Sequence, residues 1–114
     1  MPVIQVTAPS AGPERDAARL TALCRAVAAE LGLPDSGVVA VLAPAAVTVV
    51  TGEASVAAWP LAVVHGSERP AAATDAALRA LGRTLAGEWG VPDDGVWTEW
   101  SAGRLVPVAG AARG

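Results

Sequence analysis

Apolar residues change their spacing along the chain twice, from short runs to helical spacing. Val3 to Ala8 and Leu61 to Val64 are β-branched runs bounded by Pro and Gly, which is typical of strands. From about Pro13 to Leu31, and from about Thr74 to Trp89, leucines and other apolar residues recur every three or four positions. This spacing predicts two amphipathic helices. A Gly followed by a Pro two positions later ends each helix.

A further strand is predicted after each helix. These strands cover Val38 to Leu42 and Val96 to Trp100, and shorter β segments follow at Val47 to Val50 and Leu105 to Val108. Each half is therefore predicted as β-α-β with a small β-hairpin, and the crossover makes its two main strands parallel and right-handed. Thr51 to Trp59 is the predicted linker between the halves.

The two halves are copies of one unit. Residues 22–38 and 80–96, which are offset by 58 positions, share 10 identities in 17. The chain is therefore predicted as one α/β (α+β) domain, residues 1–114, made of β-α-β repeats at 2–52 and 60–110. We expect a four-stranded sheet with two helices on one face. The other face then needs burial, which predicts assembly with further copies.

Composition agrees with one compact domain and limits its partners. The 114 residues are 53% apolar and carry a net charge of −3, whereas roughly 45–50% apolar is usual. Either the surface is apolar or part of it is buried against other subunits. An acidic chain with dispersed arginines argues against nucleic acid as a partner. Neither a signal peptide nor a membrane span is recognisable, so no membrane contact and a cytoplasmic location are expected.

Missing residue types exclude several chemistries. All eight basic residues are arginine, so an internal Schiff base and a P-loop are excluded. One cysteine, Cys24, and one histidine, His65, exclude an intrachain disulfide and a thiolate zinc site. We expect no metal site and no cofactor. Cys24 is interpreted as a small packed side chain.

The start of the chain and its duplication together carry a resemblance. A chain that opens Met1-Pro2, continues with an apolar strand and consists of two β-α-β units resembles the tautomerase superfamily. The similar shapes are fused 4-oxalocrotonate tautomerase-like proteins, the macrophage migration inhibitory factor group and cis-3-chloroacrylic acid dehalogenase. The segment Pro60 to Arg69 resembles the opening of single-unit members. The resemblance implies cofactor-free catalysis on a small carboxylate substrate, and a homotrimer.

Pro2 is the first candidate for catalysis. Removal of Met1 would leave a prolyl amine, which is the only aliphatic amine of this lysine-free chain. An α-amino group titrates near 7.7–8.0, and a base poised near neutrality suits proton transfer next to a carbonyl. The resemblance implies that Pro2 is a general base, or an acid in dehalogenase-like relatives. The alternative is that Pro2 only precedes an edge strand. Pro60 is internal, so its nitrogen is an amide.

Arginines are the candidates for substrate binding. The resemblance implies that Arg69, in the loop after the third strand, holds the substrate carboxylate through paired hydrogen bonds. Its alternative is a solvated ion pair with Glu68. Arg104 is a second candidate cation. Single-unit enzymes carry a further arginine on the second strand, where this chain has Val39 and Trp97, and this departure argues against a diacid substrate.

The last predicted strand supplies the remaining candidates. Glu99 occupies the position of an activating tyrosine in the dehalogenase, where it could activate water, or it is an exposed strand residue. Trp97, with Trp59 and Trp100, is predicted to wall an apolar substrate pocket. Three functions stay open at this point. They are a tautomerase with Pro2 as base, a hydratase or dehalogenase with Glu99 handling water, and a non-catalytic binding or assembly protein.

Overall fold

A computed structural model describes residues 1–52, 58–103 and 108. Its strands and helices, in chain order, are β1 Val3–Ala8, α1 Pro13–Leu31, β2 Val39–Pro44, β3 Leu61–Gly66, α2 Ala71–Trp89 and β4 Trp97–Ala102. A short 3-10 turn precedes β2 and another precedes β4. Each element of the second half begins 58 residues after its counterpart, as Val3 and Leu61 or Pro13 and Ala71 show.

The helix ends follow local chemistry. Both helices are 19 residues long and end at glycines, Gly32 and Gly90, that have a φ of 66°. This left-handed conformation favours glycine. The sequence placed the start of α2 at Thr74, but the helix begins at Ala71. The carbonyl of Pro70 already accepts hydrogen bonds from Ala73 and Thr74, and alanine has the highest helix propensity.

The predicted sheet is confirmed, in the order β2-β1-β3-β4. The pairs β1–β2 and β3–β4 are parallel, whereas β1 and β3 are antiparallel. Because β1 lies in the centre, the strand that Pro2 precedes is not the edge strand that the structural alternative assumed; whether Pro2 is catalytic stays a prediction. Because β1 and β3 are antiparallel, the strands of the two repeats run in opposite directions along the sheet. Pro2 therefore lies at one end of the sheet, here called the Pro2 end, and Pro60 lies at the other, the Pro60 end.

Within the chain, helices cover one face of the sheet and leave the other face exposed. Both helices lie on one face, and the fully buried core between helices and sheet includes Ile4, Val6, Leu23, Val27, Ala62, Val64, Leu81 and Leu85. The opposite face, here called the open face, consists of Val3, Gln5, Thr7, Val39, Val41, Ala43, Leu61, Val63, His65, Trp97, Glu99 and Ser101. Val41 is 47% exposed there and Trp97 64%. Two helices on one face were predicted, and this is confirmed.

The predicted hairpin of the first half does not form. Val47 to Val50 is not in a strand, and Val47 is 81% exposed. A strand needs a partner for its backbone groups, and among the described residues no strand pairs with this segment. The second predicted hairpin segment, at 105–107, lies outside the described residues, and so do residues 53–57 of the predicted linker. In the described part of the chain, no helix is long and apolar enough to cross a membrane.

Candidate active site

Pro2 is held rigidly at the start of β1. Its side chain is fully buried, and its carbonyl accepts a hydrogen bond of 3.0 Å from the backbone N–H of Val39. Met1, attached to the Pro2 nitrogen, is 40% exposed. The ring is therefore held by packing, while the residue attached to its nitrogen is partly exposed.

The ladder between β1 and β3 brings Gly66 beside Pro2. Val3 pairs with His65, so Pro2 and Gly66 are the next residues outward on their two strands. A Cβ at Gly66 would lie 3.0 Å from Cζ2 of Trp100 and 3.7 Å from Nη1 of Arg69. Pro2, Gly66, Arg69 and Trp100 therefore form one group of neighbours, here called the Pro2 cluster.

Arg69 is half-buried and has no carboxylate partner among the described residues. Its Nη1 donates to Oγ of Ser67 at 3.2 Å, and its guanidinium carbon lies 5.7 Å from the ring centroid of Trp100. Arg69 does not form the alternative ion pair with Glu68. In the described part of the chain, the ion pair found joins Arg25 and Asp35. A guanidinium carries five N–H donors. Within the described ranges one acceptor, Oγ of Ser67, is found for Arg69, so its other donors suit a planar anion such as a carboxylate.

Trp100 contributes a feature that sequence reasoning missed. Its ring packs against the core, but its Nε1 is buried without a hydrogen-bond partner in the described structure. Comparison at the offset of 58 would have singled out this residue and its neighbour. The first repeat has Leu42 in place of Trp100 and Ala8 in place of Gly66.

Glu99 and Trp97 do not join the Pro2 cluster within one chain. Oγ1 of Thr98 donates to the carbonyl of Leu78 in α2 at 3.3 Å, so Thr98 faces the helices. Because neighbouring strand residues point to opposite faces, Glu99 lies on the open face, where it is exposed. Trp97 pairs with Leu61 at the Pro60 end, about 16 Å along β4 from the Pro2 end.

The roles of these two residues stay predictions, and so does the role of Arg104, which lies outside the described residues. Trp59 lines a cleft at the Pro60 end together with Val47 and Val49, so it is also separated from Trp100. The sequence predicts one pocket for Trp59, Trp97 and Trp100. The fold distributes them over two ends of the sheet.

His65 and Cys24 have structural surroundings. Nε2 of His65 lies 3.0 Å from Oε1 of Gln5 on the open face. Burial raises the pKa of the Cys24 thiol, so the thiol stays protonated at neutral pH and is a poor nucleophile. The residues described contain no group of three side chains that could hold a metal ion.

The Pro60 end has its own arginine and tryptophan. The guanidinium carbon of Arg19 lies 4.6 Å from the ring centroid of Trp89. Nε1 of Trp89 donates to the carbonyl of Pro9 at 2.9 Å. This indole N–H has its acceptor, unlike that of Trp100, and so provides a reference within the same molecule.

Comparison with known proteins identifies the fold. No protein-family model and no curated protein matches the sequence. A symmetric trimer of fused 4-OT matches with a TM-score of 0.80 and 24% identity, over 96% of this chain and 94% of that chain. Pt0534 inactivated by 2-oxo-3-pentynoate matches with a TM-score of 0.77 and 19% identity, over 95% and 93%.

The Toxoplasma gondii macrophage migration inhibitory factor matches with a TM-score of 0.73 and 20% identity, over 89% of both chains. These proteins share the tautomerase-superfamily fold, and this chain has that fold. The predicted resemblance is thereby confirmed at the level of fold.

Proposed function

We propose that this protein is a cofactor-independent tautomerase that acts on a small enolisable or unsaturated oxo-acid. The observation that carries the proposal is the Pro2 cluster, in which the buried Pro2 lies opposite Gly66, and a half-buried arginine without a carboxylate partner in the described structure lies next to Gly66. The shared fold with fused 4-OT supports it.

The proposed reaction uses two groups of the chain. After removal of Met1, the secondary amine of Pro2 takes a proton from the carbon next to the substrate carbonyl and later returns it to another position. Arg69 holds the carboxylate by paired charge-assisted hydrogen bonds and so fixes the acidic carbon beside the amine. No electron acceptor is required, because the proton transfers only rearrange the double bond.

The direct test compares two prolines. Intact-mass measurement first establishes that Met1 is removed, and the ketonisation of phenylenolpyruvate is then followed. We expect Pro2→Ala to lower kcat/KM by at least about 100-fold, the usual contribution of a general base. Pro60→Ala is the matched control, because Pro60 is equally buried but has an amide nitrogen. Full activity in Pro2→Ala trimers of normal melting temperature would show a non-catalytic protein or a different base.

Covalent trapping gives an independent test. The ynone 2-oxo-3-pentynoate, which inactivates Pt0534, is an acceptor for addition of a neutral amine. We expect one equivalent on the N-terminal peptide of this protein, formed by a bond from the Pro2 nitrogen to the alkyne. Arg69→Ala should slow labelling. Adducts spread over other peptides would contradict a reactive Pro2 amine.

The hydratase or dehalogenase alternative requires Glu99 close to Pro2. Within one chain Glu99 lies on the open face, while Trp100 packs on the helix face. We therefore prefer proton transfer by Pro2 without a second carboxylate. Glu99→Gln should retain phenylenolpyruvate ketonisation.

We also propose that the open face is buried in a homotrimer. Val39, Val41, Leu61 and Trp97 leave an apolar surface there, and three fused 4-OT structures of the same fold are trimers. Light scattering should give about three times the chain mass of 11.3 kDa. Val41→Glu should dissociate the trimer, whereas Ala29→Glu on the exposed side of α1 should leave it intact. A monomeric wild-type protein would overturn this proposal.

A further inference from the structure

We propose that the indole N–H of Trp100 is a further substrate-binding group, which donates a hydrogen bond to the oxo oxygen of the substrate whose carboxylate binds Arg69. This inference rests on the proposed function and deepens it. Its starting point is Nε1 of Trp100, the one buried side-chain polar atom without a hydrogen-bond partner among the residues the structure describes.

An unpaired buried donor needs an explanation. Leaving such a group without an acceptor is costly, and native proteins retain few of them. The ring of Trp100 fills core space, which an apolar side chain also does, since Leu42 holds the corresponding position in the first repeat. Packing therefore accounts for the ring but not for its N–H group.

The ring that carries this donor contacts two other members of the Pro2 cluster. Cζ2 of Trp100 is the ring atom closest to Gly66, and Cζ2 and Nε1 are bonded to the same carbon, Cε2. Nε1 is therefore two bonds from the ring atom that approaches Gly66. The guanidinium of Arg69 is positioned over the same ring.

This arrangement fits two neighbouring oxygens. In a 2-oxo acid the carboxylate and the oxo group are on adjacent carbons, so a ligand whose carboxylate binds Arg69 presents its oxo oxygen close by. When Pro2 removes a proton from the next carbon, negative charge develops on that oxygen. A hydrogen bond to it strengthens in the transition state. Because Nε1 is buried in the free chain, the proposal requires the ring to turn when the ligand enters.

The N–H can be observed directly by NMR. A 15N-labelled sample has four tryptophans, and loss of one indole peak in Trp100→Phe assigns Trp100. Titration with 2-oxobutanoate should move this peak downfield, while the peak of Trp89, already bonded to Pro9, stays in place. Butanoate, which lacks the oxo group, should move it much less. An unmoved Trp100 peak at the highest concentration, or equal shifts with both acids, would overturn the inference.

Kinetics provide the second readout. Trp100→Phe should lower kcat/KM for phenylenolpyruvate by about tenfold to a hundredfold, the usual loss for a hydrogen bond to a charged group, mostly in kcat. Trp89→Phe is the matched control and should leave both constants unchanged. If Pro2→Ala abolishes activity but Trp100→Phe does not change it, this inference fails alone. If Pro2→Ala is fully active, the proposed function itself fails.

Discussion

The two ends of the sheet have the same backbone but different chemistry. Each begins with a buried proline whose carbonyl accepts a hydrogen bond from the neighbouring strand, Pro2 from Val39 at 3.0 Å and Pro60 from Trp97 at 3.1 Å. Each also has an arginine against a tryptophan ring. At the Pro60 end the indole N–H is bonded to Pro9.

At the Pro2 end the Trp100 N–H lacks an acceptor within the described residues. The two arginine–tryptophan pairs are not repeat counterparts, because Ala11 and Leu42 hold the positions of Arg69 and Trp100 in the first repeat. Duplication therefore supplied two similar backbone frames, and later sequence differences gave one end an indole N–H that is bonded internally and the other an indole N–H without a partner in the described structure.

The largest expected difference between the two ends concerns the two arginines. Arg69→Ala should lower kcat/KM for phenylenolpyruvate by about 100-fold, because a charged hydrogen bond to the carboxylate is lost. Arg19→Ala removes the arginine of the Pro60 end and should leave kcat/KM unchanged. Steady-state kinetics on both variants checks this. Equal losses would mean that the ends do not differ in function.

The next effect concerns the close approach of β3 to Trp100. Gly66→Ala places a Cβ 3.0 Å from Cζ2 of Trp100, so the indole must shift, at a cost of about 1–2 kcal/mol. Gly82→Ala in α2 is the matched control. Its nearest neighbour would be 3.7 Å away, and helix propensity should make that variant more stable by up to about 1 kcal/mol.

Urea unfolding gives the free energies of unfolding for both glycine variants. Kinetics of Gly66→Ala should also show reduced activity, because the ring that it displaces belongs to the Pro2 cluster. Unchanged stability and activity would show that the ring position there is not critical.

The two tryptophans should differ in their contribution to stability. Trp89→Phe leaves the carbonyl of Pro9 without its donor, whereas Trp100→Phe removes a donor that has no partner in the described structure. Since both changes remove the same ring atoms, Trp89→Phe should cost about 1 kcal/mol more. Chemical denaturation measures the difference. A larger loss for Trp100→Phe would indicate that its N–H is satisfied in the free protein.

The smallest expected effect on stability concerns the loop before α1, at the Pro60 end. Side-chain hydrogen bonds stabilise this loop. The carboxylate of Asp16 accepts hydrogen bonds from Ser10 and from the backbone N–H of Ala11. The Ser10 hydrogen bond, followed by that of Ala11, lowers the pKa of Asp16. A lowered pKa in the folded state stabilises the protein above the ordinary aspartate range, and this stabilisation is lost as pH falls through the folded value.

Asp16→Asn should therefore lower the melting temperature slightly at neutral pH, and the difference from wild type should shrink in acid. Thr74 holds the equivalent position in the second repeat, so Thr74→Ala should give no such pH dependence. A difference that grows as pH falls would contradict the assignment.

Much of the fold follows from local pattern. Helical spacing, the glycines at the helix ends and the repeat at 58 residues indicate the elements of the fold and their order. The local pattern gave a wrong prediction where strand pairing decides whether a segment becomes a strand. Val47 to Val50 has a strand-like composition, but composition supplies no neighbour for its backbone. The central place of β1 likewise depends on which strand pairs with it.

The candidate site was predictable only in part. Pro2 and Arg69 were found by resemblance and by the chemistry of an amine and a guanidinium. The grouping of Trp97 and Glu99 with them depended on strand direction and on which face a side chain occupies. A shift of one residue along a strand reverses the face, and the antiparallel centre of the sheet separates residues that are close in sequence.

The sequence by itself determined the duplicated β-α-β order and the helix ends, because these depend on residue type and local spacing. Only the tertiary structure decided that Gly66, Arg69 and Trp100 meet beside Pro2, and that among the described residues the Trp100 N–H has no partner while the Trp89 N–H has one. Contacts between strands and loops distant in the chain produce both outcomes, and such contacts follow from strand pairing and packing rather than from local pattern.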